Sequence, residues 1–362
     1  MSNRTHLVVM QGDGIGPEIT AATLQVLREA DKLLGLGLTF EDAVIGFDAL
    51  KKHGTTMPDA SFEAGKRADG VILGPVSHNA YPPRDQGGLN PSGEMRKRLD
   101  LYANIRPAKS RPGLPPRCGK EVDLVVVREN TEGLYADRNM FMGNGEFMPT
   151  PDVALAVRKI TRQGSTRIAE TAFKLAMQRP RKKVTAVHKA NVLRVSDGLF
   201  LECVRSVQKN YPDVEYEEQI MDAMAALLVR DASRFDVILA TNAFGDILSD
   251  EASEISGSLG LAASINAGAE HALAQAQHGS APDIAGKDIA NPASLIGSAA
   301  MLFAWIGERR KDDKLTKAAD MIERALDQAV AKPETRTGDL GGKLGTQAFG
   351  AHVAGLLAGL AK

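Results

Sequence analysis

The sequence predicts an α/β protein with a largely parallel sheet, and three observations carry that expectation. Short apolar, often β-branched runs recur at residues 7–10, 70–76, 122–127, 183–187 and 237–239. Longer stretches with helical apolar spacing lie between and after them, as at 18–34 and 167–177. Repeated strand–helix units of this kind build sheets whose strands run mostly parallel. Charged residues also stand just past several runs: Arg128, Lys189, and the pair Asp246 and Asp250. In open α/β sheets the carboxyl ends of strands face the ligand crevice.

The bulk numbers narrow the class. A chain of 362 residues is long for one domain and sufficient for two. With 43% apolar and 25% charged residues it reads as a globular enzyme rather than a disordered chain. A net charge of −1 offers no basic surface for nucleic acid. Residues 1–7 lack an apolar signal core, and the stretch 296–306 is too short to span a bilayer, so no membrane partner is expected. Cys118 and Cys203 cannot form a disulfide framework or a thiolate metal site, and a reducing cytoplasm is the expected compartment.

In chain order, the strand at 7–10 runs into Gly12-Asp-Gly14-Ile-Gly16-Pro17-Glu18, a tight turn opening a helix with Pro17 in its first turn. A dinucleotide fingerprint requires two residues between its second and third glycines; one stands here, so this loop is not assigned to a nucleotide phosphate. The strand at 70–76 ends in a long Pro- and Gly-rich loop, 75–91, of the length that usually carries function. A basic helix follows, then the strand at 122–127, an aperiodic Met/Gly/Asn-rich excursion over 138–151, and further strand–helix units. Leu315, Ala318, Ala319, Ile322, Ala325, Leu326 and Ala329 form one stripe of a late helix.

The chemistry concentrates around residues 236–250. The strand at 237–239 is followed by a turn expected at 242–245 and then by a helix, on which Asp246 and Asp250 share a face. Two such acids suit either solvent near a helix N-terminus or a hard divalent cation that takes oxygen ligands, Mg²⁺ or Mn²⁺. Arg96, Arg106 and Arg128 could grip carboxylates through paired hydrogen bonds, which points to a di- or tricarboxylic acid. A second Gly-rich stretch, 278–292, is not a Walker loop, since Ala281 and Asp288 occupy positions that loop reserves for other residues; its small side chains would let a backbone approach a ligand.

Five motifs carry a family resemblance: Gly12-Asp-Gly-Ile-Gly-Pro-Glu18, Arg128-Glu-Asn-Thr-Glu-Gly-Leu-Tyr135, His188-Lys-Ala-Asn-Val-Leu193, Asn242-Ala-Phe-Gly-Asp-Ile-Leu-Ser-Asp250 and His278-Gly-Ser-Ala-Pro-Asp-Ile-Ala-Gly286. In order, from residue 8 onward, the chain resembles the β-decarboxylating dehydrogenases acting on isocitrate, homoisocitrate, 3-isopropylmalate, tartrate or D-malate. The resemblance implies a two-domain α/β fold without a Rossmann dinucleotide domain. The large domain would comprise 1–100 and 254–362, the small one 101–253, with a dimer-clasp segment at 138–156. It implies a homodimer with shared active sites. Arg96, Arg106 and Arg128 would clamp substrate carboxylates; Asp246 and Asp250, with Asp222 from the neighbouring copy, would hold Mg²⁺ or Mn²⁺. Lys189, also from the neighbour, would take the hydroxyl proton, and Tyr135 would protonate the enol after CO₂ departs.

The loop 278–291 would bind the dinucleotide through His278, Gly279, Ser280, Ala281, Asp283, Ile284 and Asn291. Asp283 stands where NAD-dependent members set an acid against the ribose hydroxyls, so NAD⁺ is expected. Substrate choice resides in the turn before Arg96. Asn90 and Ser92 resemble, in swapped order, the isocitrate branch, whereas 246–253 resembles 3-isopropylmalate dehydrogenase. Isocitrate is the expected substrate; 3-isopropylmalate, homoisocitrate, tartrate or D-malate, or a non-catalytic regulatory paralogue, are the alternatives. The chain departs from its relatives at Gln275-Ala-Gln277, where a Glu-Pro-Val triplet or similar is usual.

Overall fold

The computed structural model describes residues 4–135, 140 and 145–361. β1 (Thr5–Met10) is the apolar run at 7–10 extended by two residues. The chain turns through its glycines into α1 (Gly16–Leu34), which Gly35 ends in the left-handed conformation. Then come β2 (Leu38–Asp42), α2 (Gly46–His53), α3 (Asp59–Arg67) and β3 (Gly70–Leu73). β3 stops short of residue 76 because Gly74 lies against β1's end: a Cβ there would stand 1.9 Å from the Gln11 carbonyl oxygen. The long loop beyond it contains two short 3-10 turns, His78–Ala80 and Arg84–Gln86, before α4 (Pro91–Arg98).

The chain continues with β4 (Ala103–Lys109), β5 (Asp123–Glu129), the hairpin β6 (Glu146–Thr150) and β7 (Val153–Ala156), and α5 (Arg162–Gln178). β8 (Lys183–His188), α6 (Ser196–Gln208), β9 (Glu215–Ile220), α7 (Met221–Asp231), β10 (Val237–Ala240) and α8 (Asn242–Ser256) complete this stretch. The return comprises β11 (Ile265–Ala267), β12 (Ala272–Gln275), α9 (Ala293–Arg310), α10 (Asp313–Ala331) and α11 (Thr346–Leu360). The chain divides into two compact units, 1–95 with 111–115 and 258–362, and 96–110 with 116–257.

In the first unit the strands run β2-β1-β3-β12-β11, parallel except that β11 opposes β12. The whole expected stripe of α10 is buried, and Asp312 caps the helix by accepting from the Lys314 and Leu315 amides. In the second unit the order is β4-β5-β10-β8-β9, parallel except for β4 against β5. A sheet covered on both faces needs continuous apolar strands, whose alternate side chains divide between two cores. Val125, Val127, Val184, Ala186, Val237 and Leu239 pack on one side with Ile168, Phe173, Phe200 and Val204 of α5 and α6. Leu124, Val126, Ile238 and Ala240 pack on the other with Met224 and Leu228 of α7 and Leu248, Ala252 and Ile255 of α8. Among the described residues no helix is long and apolar enough to cross a membrane.

Candidate active site

The same alternation aims the arginines. Arg128 shares parity with Leu124 and Val126 on β5, and Arg106 stands opposite Val126 on β4, so both project toward α8. Arg128 lies inside β5 rather than beyond a strand ending at 127. The residues expected as a turn, 242–245, are already helical: α8 begins at Asn242. Gly245 is the reason α8 can lie so close to β5, since a Cβ there would stand 2.7 Å from the Arg128 side chain.

Around α8 the charges interlock. Arg106 Nη1 donates to Ser249 Oγ at 2.8 Å and lies 3.2 Å from Asp246 Oδ1 and 3.3 Å from Asp250 Oδ1. Its Nε donates to Asn104 Oδ1 at 2.5 Å. Arg128 donates from Nε and Nη2 to Asn242 Oδ1, at 3.0 and 2.6 Å, and from Nη1 to Asp246 Oδ1. Tyr135 OH donates to Asp246 Oδ2 at 3.1 Å, and the Arg128 guanidinium lies over the Tyr135 ring at 5.8 Å. Half-buried Arg96 adds its positive field at Asp246. The structure therefore brings Arg96, Arg106, Arg128, Tyr135, Asp246 and Asp250 into one cluster.

Burial and neighbouring charge act together on this cluster. Arg106 and Arg128 are 6% and 3% exposed. Burial, with the neighbouring Arg128 charge, brings Arg106 down to about 10, and burial lowers Arg128 as well. Burial alone would raise the Asp246 carboxyl, but Arg128 and Arg106 outweigh it and hold Asp246 below the usual carboxylate range. At about 10, Arg106 remains a cation at neutral pH, and Asp246 is an anion.

The donor set suits a hard divalent cation. Asp246 and Asp250 offer carboxylates on successive turns of α8, with side chains 36% and 53% exposed, so an ion from solvent can reach them. Among the described residues no third acid, His or Cys joins them within the chain. Two carboxylates leave positions for oxygens from substrate, water or another chain.

Lys189 and Asp222 form a separate pair, Lys189 Nζ donating to Asp222 Oδ1, a contact that holds the exposed Asp222 carboxyl below its ordinary range. The Lys189 backbone N–H donates to the buried Asp197 Oδ2 at 2.6 Å, and Arg158 pairs with that same carboxylate.

The other expected residues lie on the first unit. Asn90 Oδ1 accepts from the Gly93 amide at 3.1 Å, capping α4. Ser92, buried, donates to Gln275 Oε1 at 2.8 Å. In the loop 278–291, His278 Nδ1 lies 3.0 Å from the Gly279 carbonyl, which can only accept; Nδ1 thus carries the proton and Nε2 is a buried acceptor without a partner. Burial lowers the His278 pKa. Ser280 is buried against the first Gly-rich loop, Ile15 N–H donating to its carbonyl at 2.9 Å. Asn291 donates to Asp339 Oδ2 at 3.0 Å and accepts from the Ala293 amide at 3.0 Å. Between these anchors Gly279 and Asp283 are exposed, Ile284 is half-buried, and Ala281 adopts a positive φ of 36°.

Sequence reasoning missed Asn104, Asn242, Ser249 and Asp197, which hold the charged groups. Asn104 stands two residues before Arg106 on one strand face, and Asn242 four before Asp246 on one helix face. Spacing was thus the signal that could have found these two.

The model of the isocitrate/isopropylmalate dehydrogenase family matches residues 6–353. The chain is 42% identical over 340 residues to the 3-isopropylmalate dehydrogenase of Sulfurisphaera tokodaii, covering 94% of this chain and 95% of that one. It is 40% identical to the homoisocitrate dehydrogenase of Methanocaldococcus jannaschii, with 95% of each covered. Among solved structures, isocitrate dehydrogenase from Methylococcus capsulatus superposes with a TM-score of 0.86 at 38% identity, covering 98% and 99% of the two chains. With a family match across nearly its whole length and relatives of this likeness, the chain belongs to the isocitrate/isopropylmalate dehydrogenase family.

Proposed function

We propose that the protein oxidatively decarboxylates an isocitrate-type 2-hydroxy acid, passing hydride to NAD⁺ and releasing CO₂ and a 2-oxo acid. The observation that carries this is the charged cluster on α8, where two acids face two buried arginines with a third arginine in electrostatic reach. A divalent cation on Asp246 and Asp250 would offset their charge and leave the arginines in need of a multiply charged anion. A 2-hydroxy di- or tricarboxylate is such a ligand. Metal and substrate would therefore bind together.

Asp246 and Asp250, with Asp222 supplied by a second copy of the chain, would hold Mg²⁺ or Mn²⁺. When bound, the ion supplies Lewis-acid polarisation of the substrate oxygens. Arg96, Arg106 and Arg128 orient the carboxylates. Lys189 of the second copy, once its own proton has passed to Asp222, would take the hydroxyl proton; the dinucleotide, when bound, would supply the acceptor for the hydride. The bond to the departing carboxylate then breaks, its electron pair remaining as the enolate, and Tyr135 donates the proton that restores carbon. The loop 278–291 holds the dinucleotide, where an exposed Asp283 carboxylate would favour ribose hydroxyls over a 2′-phosphate. The exposed apolar hairpin supports a homodimer: Phe147 and Met148 are 50% and 63% exposed, on a two-stranded unit of marginal stability alone. Residues 138, 139 and 141–144 of the expected clasp lie outside the described residues.

A second reading, 3-isopropylmalate as substrate, is favoured by one contact. Ser92 spends its hydroxyl proton on Gln275, leaving it poorly suited to a carboxylate side arm. The Sulfurisphaera relative bears that activity's name. NADH formation with Mn²⁺, NAD⁺ and each of isocitrate, homoisocitrate, 3-isopropylmalate, D-malate and tartrate decides between them. Isocitrate is expected to give the highest kcat/KM. A 3-isopropylmalate preference installs the second reading, and no turnover with any of them overturns both.

A further inference from the structure

The first Gly-rich loop has no role in the chemistry above, yet its one carboxylate, Asp13, is buried at 8% exposure with only neutral donors around it. Asp13 Oδ1 accepts from the Phe47 amide at 2.8 Å; Oδ2 accepts from the Ser77 amide at 2.9 Å and from Tyr81 OH. A buried carboxylate without a cation is costly to place, and its retention calls for a purpose. Here one side chain ties three separate segments: the β1–α1 turn, the start of α2, and the long loop after β3. The Phe47 and Tyr81 rings meet edge to face at 5.0 Å, closing the same knot.

Two outlets of this knot lead to Ser280. Ser77, held through its backbone by Asp13, places Oγ 2.8 Å from Ser280 Oγ. Ile15, two residues beyond Asp13, donates its N–H to the Ser280 carbonyl at 2.9 Å. Gly14, at φ 57°, passes so close that a Cβ would stand 2.0 Å from the same carbonyl oxygen. Ser280 is thus gripped by backbone and side chain from a turn whose shape Asp13 sets, while Gly279 and Asp283 on either side are exposed.

We infer that Asp13 is a positioning residue for dinucleotide binding, which through Ser77 and the 14–15 backbone holds the 278–286 loop pre-formed. This rests on the reading that loop 278–291 binds the dinucleotide. Pre-organisation of a binding loop shows in affinity for what that loop binds. The test is NADH binding to the full-length protein, followed by NADH fluorescence, for Asp13→Asn, Ser77→Ala, the double variant and Asp283→Ala. Asp13→Asn keeps the shape and one acceptor but turns an N–H donor toward donors. The dissociation constant is expected to rise roughly tenfold, the factor carried by about 1.4 kcal/mol, while Mn²⁺ affinity is unchanged. Ser77→Ala raises it less, and the double variant falls short of the product of the single effects, because both act on Ser280.

A purely structural Asp13 would lower the melting temperature without this selective loss, and that result overturns the inference. Fully multiplicative effects in the double variant overturn it too. Should Asp13→Asn fail to fold, Tyr81→Phe removes one donor only and must show the same selective loss. If Asp283→Ala leaves NADH affinity unchanged, the dinucleotide reading of the loop fails and the inference with it. If Asp283→Ala weakens NADH and Asp13→Asn does not, the inference alone fails.

Discussion

Replacing Asn242 with alanine tests whether Arg128 is held in place by its neighbours. Asn242 is 2% exposed, and its single oxygen takes two donors of Arg128, at 3.0 and 2.6 Å. Hydrogen bonds to charged groups contribute about 1.5–3 kcal/mol each, and a buried guanidinium donor left without an acceptor loses that in full. The two bonds share one acceptor and do not add completely, while alanine at the start of α8 recovers a few tenths of a kcal/mol. The net expectation for Asn242→Ala is a loss of about 2–4 kcal/mol. At roughly 2–4 °C per kcal/mol for a unit of this size, the calorimetric transition containing residues 116–257 should fall by roughly 4–16 °C. Arg128 would then keep its Asp246 ion pair and the Tyr135 ring but lose the asparagine that orients it, so the KM for the hydroxy acid should rise on the order of tenfold. Asn242→Asp separates the two effects. It restores an acceptor, and much of the stability, but its charge neutralises Arg128, so the KM stays high. If Asn242→Ala melts with the parent protein and binds substrate unchanged, the view that this asparagine orients Arg128 is wrong.

Two further outcomes follow from exposure and burial. Phe147→Glu combined with Leu155→Glu places charge on the exposed apolar hairpin and should convert the proposed dimer to monomer by light scattering; an unchanged dimer mass would remove the hairpin from the interface. His278 gives a pH dependence whose sign can be worked out. Its folded pKa lies below its unfolded value of about 6.5, so the native state binds fewer protons than the unfolded one as acid is added. Its contribution is present above about pH 6.5 and is lost as pH falls through the lower folded value. Denaturant midpoints of the parent should decline across that window more steeply than those of His278→Gln, and parallel curves would refute the assignment.

Five strands, β1, β3, β5, β8 and β10, were legible because burial on both faces forces the sequence to declare itself; β2, β4, β9, β11 and β12 were not. The runs at 124–127 and 237–239 have no polar interruptions because Val125 and Val237 serve one core while Val126 and Ile238 serve the other. The hairpin was not legible. Pro149 within β6 and the register irregularity between Phe147 and Thr150 erase the alternation that marks a strand. The start of α8 was misread for a related reason: Asn242 and Gly245 carry turn propensity, yet each is present for a tertiary contact with Arg128, which local preference cannot reveal.

The candidate site divides along the same line. Charged groups at strand ends announce themselves, because few structural reasons place Arg128 or Lys189 there. Neutral groups do not, because Asn242 and Ser77 are ordinary in any chain and act through contacts with residues distant in sequence. The departure at Gln275 belongs with these. Sequence reading could register only the missing acid, whereas the fold shows what the amide does. Gln275 Oε1 accepts from Ser92 and approaches Asn266 Nδ2 at 3.4 Å, while its backbone carbonyl accepts from Ser264 and Ser298. A carboxylate at this position would also accept from Ser92, but it would add a negative charge to the unit proposed to bind an anionic dinucleotide. The neutral amide keeps Ser92 fixed without that repulsion, so the departure leaves the first unit's polar scaffold intact.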